Sequence, residues 1–150
     1  MKERKRLGLA LCGSYCTYEK VLKEAEKLAA DWDLTALMSE TAACTDSRFG
    51  KAEAFIARLA SGLTDTAVTM AAKSHLRNGR PVVIALSTND ALSGSAENIA
   101  ALLNRKNYYF VPFGQDDPQG KPSSLQADFS RMGEAAAAAL EGRQLQPVLR

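Results

Sequence analysis

The chain has 150 residues, 46% of them apolar and 24% charged, with a net charge of +2 from 19 basic and 17 acidic side chains. That suits one soluble domain with a sizeable core, and it gives no electrostatic reason to invoke nucleic acid. No apolar run approaches the roughly 18 residues of a membrane span, and the charged start lacks the apolar centre of a signal peptide, so a cytoplasmic protein is expected.

The chain opens on Arg6-Leu7-Gly8-Leu9-Ala10-Leu11-Cys12, an apolar run suited to a strand buried on both faces. Gly13 and Ser14 break it, and Thr17 can cap a helix to about residue 30, with Val21, Leu22, Ala25 and Leu28 on one face. Strand, small-residue turn and helix start together form the element on which a parallel α/β sheet holds an anion. Any strand–helix unit can also begin with Gly-Ser, so this turn alone decides nothing. Residues 34–38 are the second strand candidate, 39–47 a polar loop, and 51–59 a helix.

A second helical stretch over 66–78 then follows with no strand in between. A parallel sheet returns each helix to a strand, so the pattern is short of one strand–helix segment at this point. Order resumes at 78–81, a turn with a helix-stopping glycine. Residues 82–86 form a buried strand, 87–90 its polar loop, 95–104 a helix and 108–111 another strand. Residues 113–124 form a loop. Ser123 or Ser124 caps a last, alanine-rich helix through Leu140, stopped by Gly142, and the Ala135 to Ala139 run reads as helix filler.

Ligands of open parallel sheets bind beyond the carboxyl ends of the strands. Four loops occupy that place: 13–17, 39–47, 87–90 and 113–117. Their polarity by itself says only that they are surface. Their shared richness in hydroxyls and amides makes Gly13, Ser14, Tyr15, Ser39, Ser87 and Asn89 the candidate cofactor contacts. Asn89 and Gln115 are the candidate substrate contacts. Asp116-Asp117 could act as a metal or base pair, though Asp-Asp-Pro is more simply a turn. The one histidine, His75, falls near a helix end, so no Ser-His-Asp or Cys-His arrangement can be drawn and no catalytic base is named. Cys12, Cys16 and Cys44 form neither a disulfide framework nor a zinc spacing.

The stretch Gly13-Ser14-Tyr15-Cys16-Thr17-Tyr18-Glu19-Lys20 resembles the opening of the flavoprotein family that includes FMN-dependent cysteine decarboxylases. Leu59-Ala60-Ser61-Gly62-Leu63-Thr64-Asp65 and the strand and loop from Arg80 to Asn89 are similar to two further stretches of it. More narrowly, Ser87-Thr88-Asn89-Asp90-Ala91-Leu92 and Phe113-Gly114-Gln115-Asp116-Asp117-Pro118 resemble the B-subunit family of dipicolinate synthase. Thr45-Asp46-Ser47-Arg48-Phe49-Gly50 and Gln144-Leu145-Gln146-Pro147 agree with it, and the resemblance covers nearly the whole chain.

The resemblance implies a three-layer open parallel sheet with helices on both faces, a Rossmann-like, FMN-binding type of flavoprotein fold. Residues 1–150 would then be one domain. It implies an oxidoreductase subunit that forms dipicolinate from a dihydrodipicolinate precursor in the mother cell of a sporulating bacterium. The expected partners are the A subunit of dipicolinate synthase, a small dicarboxylate substrate and further copies of the chain. The expected cofactor is FMN, or NADP held through the A subunit. The chain departs from the family in two ways. A strand and loop of some tens of residues is missing near residues 58–60, where the strand count also fails, so the complete protein is expected to be longer. The histidine that decarboxylase members carry after the second strand has no counterpart in 39–48, which demotes decarboxylation in favour of the synthase role or of a non-catalytic partner subunit.

Overall fold

The computed structural model describes residues 4–11, 13, 15–38 and 68–150. The chain divides into two compact units, Met1–Lys73 and Ser74–Arg150.

In the first unit, β1 (Lys5–Leu11) pairs in parallel with β2 (Trp32–Met38), from Lys5 opposite Trp32 to Leu11 opposite Met38. A short 3-10 turn, Tyr15–Thr17, leads into α1 (Tyr18–Leu28). Tyr18, Val21, Leu22 and Ala25 are buried at helical spacing, so the expected apolar face is the one turned inward. Thr17 makes no capping hydrogen bond with its side chain. Expectation and structure also differ on β1: Leu7, Leu9 and Leu11 turn inward while Gly8 and Ala10 are exposed. Strand alternation sends successive residues to opposite faces, and among the described residues nothing covers the second face. The helix expected over 51–59 lies outside the described residues.

The second unit begins within α2 (Val68–Arg77), which Gly79 ends in a left-handed conformation (φ +67°) open to glycine at little cost. β3 (Val82–Ile84) and β5 (Tyr108–Phe110) pair in parallel, Val82 with Tyr108 and Ile84 with Phe110. Between them run β4 (Ser87–Thr88) and α3 (Ala96–Leu103); β5 continues into β6 (Phe113–Gly114). These are the parallel strand–helix–strand connections expected from the sequence.

The region after 113 departs from the reading of a loop followed by one long helix. Leu125–Ala127 is a strand, β7, and only after a 3-10 turn at Phe129–Arg131 does α4 (Met132–Leu140) begin. β7 is antiparallel to β4 on one side and to β6 on the other, giving the order β4-β7-β6. Its end closes the seam where the parallel pair separates. The Ala127 N–H donates to the Leu86 carbonyl at 2.7 Å and the Asp128 N–H to the Pro112 carbonyl at 2.8 Å. Just before the seam, the Val111 N–H still donates to the Ile84 carbonyl at 2.9 Å.

The core of this unit centres on Phe110, Val111 and Phe113, each 1% exposed, with the two phenyl rings 5.7 Å apart. α4 lies against β3 and β5, and α3 against β5. Ala135, Ala136, Ala138 and Ala139 are all buried, so the alanine run is a close-packing face and more than helix filler. Small side chains let the helix backbone approach the strands closely. The tail returns along β6: Phe113 N–H donates to the Val148 carbonyl and Arg150 N–H to the Phe113 carbonyl, both at 3.0 Å.

Candidate functional site

The candidate residues fall into two groups, one in each unit. In the first, Gly13 is exposed, and an added Cβ there would meet nothing within 4 Å. Tyr15 is half-buried, its ring 5.2 Å from that of the buried Tyr18. Ser14 and Ser39, with the 39–47 loop, lie outside the described residues. The helical turn after Gly13 opens α1, and Glu19 brings a negative charge into the first turn of that helix, which disfavours an anion there. Taken by themselves, the described residues of this unit do not make a closed cradle for a flavin phosphate.

The second group is assembled by the antiparallel sheet. β4 and β6 both run antiparallel to β7, so they are parallel to each other and their carboxyl ends leave at the same edge. Continuing the register, Asn89 follows Thr88 opposite the start of β7, and Gln115 follows Gly114 on the other flank. Ser124 precedes β7 at that same edge. The 87–90 and 113–117 loops therefore converge as the parallel-sheet rule requires. β7 occupies the place between the two strands where an open sheet would leave a crevice.

Local hydrogen bonds order this edge. Asp90 is the hub of the first loop: its carboxylate accepts from the Thr88 hydroxyl, and from that of Ser95 at 3.0 Å. Its carbonyl accepts from the N–H groups of Ser93 and Ser95. Leu92 N–H donates to the Ser123 carbonyl at 2.9 Å and ties this loop to the second. In the second loop the Gln115 amide donates to the Pro122 carbonyl at 2.8 Å. The buried Ser124 hydroxyl lies 2.6 Å from the Asp116 carboxylate, and Lys121 is 3.6 Å from the same group.

The electrostatics follow from these bonds. The Thr88 and then the Ser95 hydroxyl hold the Asp90 carboxyl below its ordinary value. The Ser124 hydroxyl does the same for Asp116, assisted by Lys121. Both are carboxylates at neutral pH, and the exposed Asp117 lies beside them. One cation, Lys121, stands among three acidic residues at this edge, so it is electronegative. Asp117 accepts from the Gly120 N–H three residues on at 2.9 Å, a local bond that agrees with the turn reading of Asp-Asp-Pro. Among the described residues no group of three His, Cys, Asp or Glu side chains could hold a metal ion.

The described structure brings Asn89 and Gln115 to one edge and leaves Asn89 exposed without a hydrogen bond among the described residues. Ser87 is half-buried within β4, its backbone paired opposite Gln126. Sequence reasoning passed over Asp90, Lys121 and the structural use of Ser124. In the structure Leu125, Gln126 and Ala127 of β7 alternate buried, half-buried and buried, but three residues are too few to show that period in the sequence.

Parallel strand–helix–strand units with polar loops at their carboxyl ends define an α/β protein of the Rossmann-like class. No family model matches the chain. The B subunit of dipicolinate synthase from Bacillus subtilis (strain 168) is 33% identical over 186 residues, covering 97% of this chain and 93% of that protein. The crystal structure of the dipicolinate synthase B subunit from Bacillus halodurans is 36% identical and superposes with a TM-score of 0.85, covering 97% of this chain and 96% of that one. The chain belongs to the family of dipicolinate synthase B subunits. The match to the B. subtilis protein runs over 186 residues, whereas this chain has 150, so the matched span of the relative holds residues with no counterpart here. Among the described residues no helix is long and apolar enough to cross a membrane.

Proposed function

We propose that this chain serves as the B subunit of a dipicolinate synthase. With the A subunit it would form dipicolinate from a dihydrodipicolinate precursor in a sporulating cell. The supporting observation is the 33% identity to a dipicolinate synthase B subunit sustained over 97% of the chain. Aromatising a dihydropyridine ring removes a hydride and a proton, so the assembly needs a hydride acceptor. FMN on this chain or NADP held by the A subunit would fill that role. In this reading Asn89 and Gln115 contact substrate, and the 13–15 turn with Ser39, Ser87 and Asn89 contacts a cofactor. The shortfall against the B. subtilis protein supports the reading that a strand and loop near residues 58–60 is missing from an otherwise single 1–150 domain. An intact-protein mass above that of the 150 residues would bear this out.

A second reading is favoured by the chemistry of the 87–124 edge. Its Gln115, Asp116 and Asp90 side chains already bond within their own loops, and its charge is negative. A dicarboxylate would meet repulsion there from Asp90, Asp116 and Asp117. This favours a B subunit that supports the active site of its A partner, with NADP as the acceptor.

Reconstitution separates the two. Visible absorption of the purified chain after titration with FMN, followed by addition of the A subunit, substrate and NADP, reads flavin binding and turnover independently. A bound-flavin band would make this chain the redox partner. A flat spectrum with NADP-dependent turnover only once the A subunit is present would establish the supporting role. Dipicolinate formation at the same rate by the A subunit without this chain would exclude both.

A further inference from the structure

The charges of the Ser74–Arg150 unit are segregated. Lys121, Arg131, Arg143 and Arg150 each pair with a carboxylate: Asp116 at 3.6 Å, Glu134 at 3.1 Å, Glu141 and Asp128. The remaining cations of the unit are Arg77, Arg80, Arg105 and Lys106. All four are exposed, and none has an ion pair among the described residues. They fall on two neighbouring turns. Arg77 ends α2 and Arg80 precedes β3, while Arg105 and Lys106 join α3 to β5. The Val82 N–H donates to the Asn107 carbonyl at 2.8 Å, and Val82 pairs with Tyr108, which holds the turns side by side. The acidic residues without an ion pair among the described residues, Asp90, Glu97 and Asp117, lie in the loops and first helical turn at the carboxyl ends of the same strands.

Helix ends do not account for this face. α2 and α3 both terminate there, and each carries about half an elementary negative charge, roughly one in total against four positive side chains. A surplus of about three charges therefore faces solvent, on the side of the strands away from the candidate site. Leu103, 42% exposed, sits at the same turn and adds apolar contact area. Three of the four cations are arginines, whose planar fork suits carboxylates on a protein surface. A nucleic acid would be tracked by a longer basic stripe, and the whole chain has a net charge of only +2.

We propose that the turn pair carrying Arg77, Arg80, Leu103, Arg105 and Lys106 is a docking surface for an acidic face of the A subunit. The proposal rests on the B-subunit reading above. It leaves the carboxyl-end loops free to face a ligand while the opposite face holds the partner.

The test is association of the full chain with the A subunit, measured by calorimetry at low and at moderate salt. It compares wild type, the charge reversal Arg80→Glu/Arg105→Glu/Lys106→Glu, and the milder Arg105→Ala/Lys106→Ala. The milder pair keeps the test valid should the reversal fail to fold, as circular dichroism would reveal. Expected are binding that weakens with salt and a loss on the order of tenfold or more on reversal. Equal, salt-independent binding by wild type and variants overturns the docking face and leaves the B-subunit reading intact. If the wild-type chain and the A subunit do not associate, both fall together. Tighter wild-type binding to a single-stranded RNA oligonucleotide than to the A subunit would overturn the proposal in favour of a nucleic-acid surface.

Discussion

The side chain of Gln144 pairs with the backbone of Phe110 as a neighbouring strand would. Its Oε1 accepts from the Phe110 N–H at 2.8 Å, and its Nε2 donates to the Phe110 carbonyl at 2.7 Å. One amide side chain thereby satisfies both polar groups of a core residue that is 1% exposed.

Gln144→Ala leaves that N–H and carbonyl without the side-chain partner they now share. Stability should fall by about 1–3 kcal/mol, the range for orphaned buried polar groups. Urea unfolding would read the change. A shift no larger than a few tenths of a kcal/mol would mean that water replaces the amide, since surface substitutions fall within about 0.5 kcal/mol.

Gly114→Ala should release the tail. A Cβ at this position would lie 2.7 Å from the backbone carbonyl oxygen of Arg150, closer than real contacts allow, and backbone cannot rotate aside as a side chain can. The Phe113–Val148 and Arg150–Phe113 hydrogen bonds should open. Hydrogen exchange at the Arg150 amide would accelerate while the Ala127 amide in β7 stays protected. Unchanged exchange at Arg150 would show that the strand shifts to accept the methyl group.

Acid should loosen the loop edge. Asp90, Asp116 and Asp128 are held below their ordinary carboxyl value of 3.8, chiefly by the hydroxyls of Thr88, Ser124 and Ser130 respectively. A lowered folded value means that their contribution is complete above the unfolded value and is lost as pH falls through the folded one. The contribution of these three carboxylates should therefore be constant from neutral pH to about pH 5 and decline below about pH 4. His75 adds a separate loss, as acid protonates it more readily in the unfolded chain. Ser124→Ala should move the Asp116 midpoint up towards its ordinary value in a carboxyl chemical-shift titration. An unmoved midpoint would transfer the effect to Lys121.

His75 reports on the basic turn pair. Partial burial, and then the neighbouring Arg80, hold its imidazole below its ordinary value of 6.5. Arg80→Ala should raise the midpoint, and as the chain's one histidine it gives a single ring signal to follow by NMR. A midpoint that does not move would place the Arg80 guanidinium away from the ring.

Asn89→Ala tests the carboxyl-end site. The side chain is exposed, so stability should change by no more than about 0.5 kcal/mol. Loss of ligand binding with folding retained would support Asn89 as a contact, whereas wild-type binding would remove it.

Much of the architecture was legible because it rests on local pattern. The apolar stripe of α1, the apolar run at Val82, the aromatic run at Tyr108 and the glycines that end helices at 79 and 142 each announce their element within a few residues. The strand expected to be buried over 82–86 is, however, half-buried and ends at Ile84. β7 was harder to see. At three residues it is too short for periodicity, and the alanines that follow outweigh it by helix propensity. Its strand state depends on bonds to Leu86 and Pro112, both distant in sequence. The site shared this division. The placement of Asn89 and Gln115 at one edge was legible from their position after strands, whereas the bonds engaging Gln115 and Ser124 depend on how a loop folds back on itself.

β7 also separates what must stay constant from what can change. Because it fastens β4 and β6 from between, the backbone positions of Asn89 and Gln115 are set by strand register rather than by the length of the 116–123 excursion. That excursion can gain, lose or exchange residues while both strand ends stay where they are. Relatives could therefore alter what this edge recognises by rewriting one surface loop, with the packing of Phe110 and Phe113 beneath it untouched.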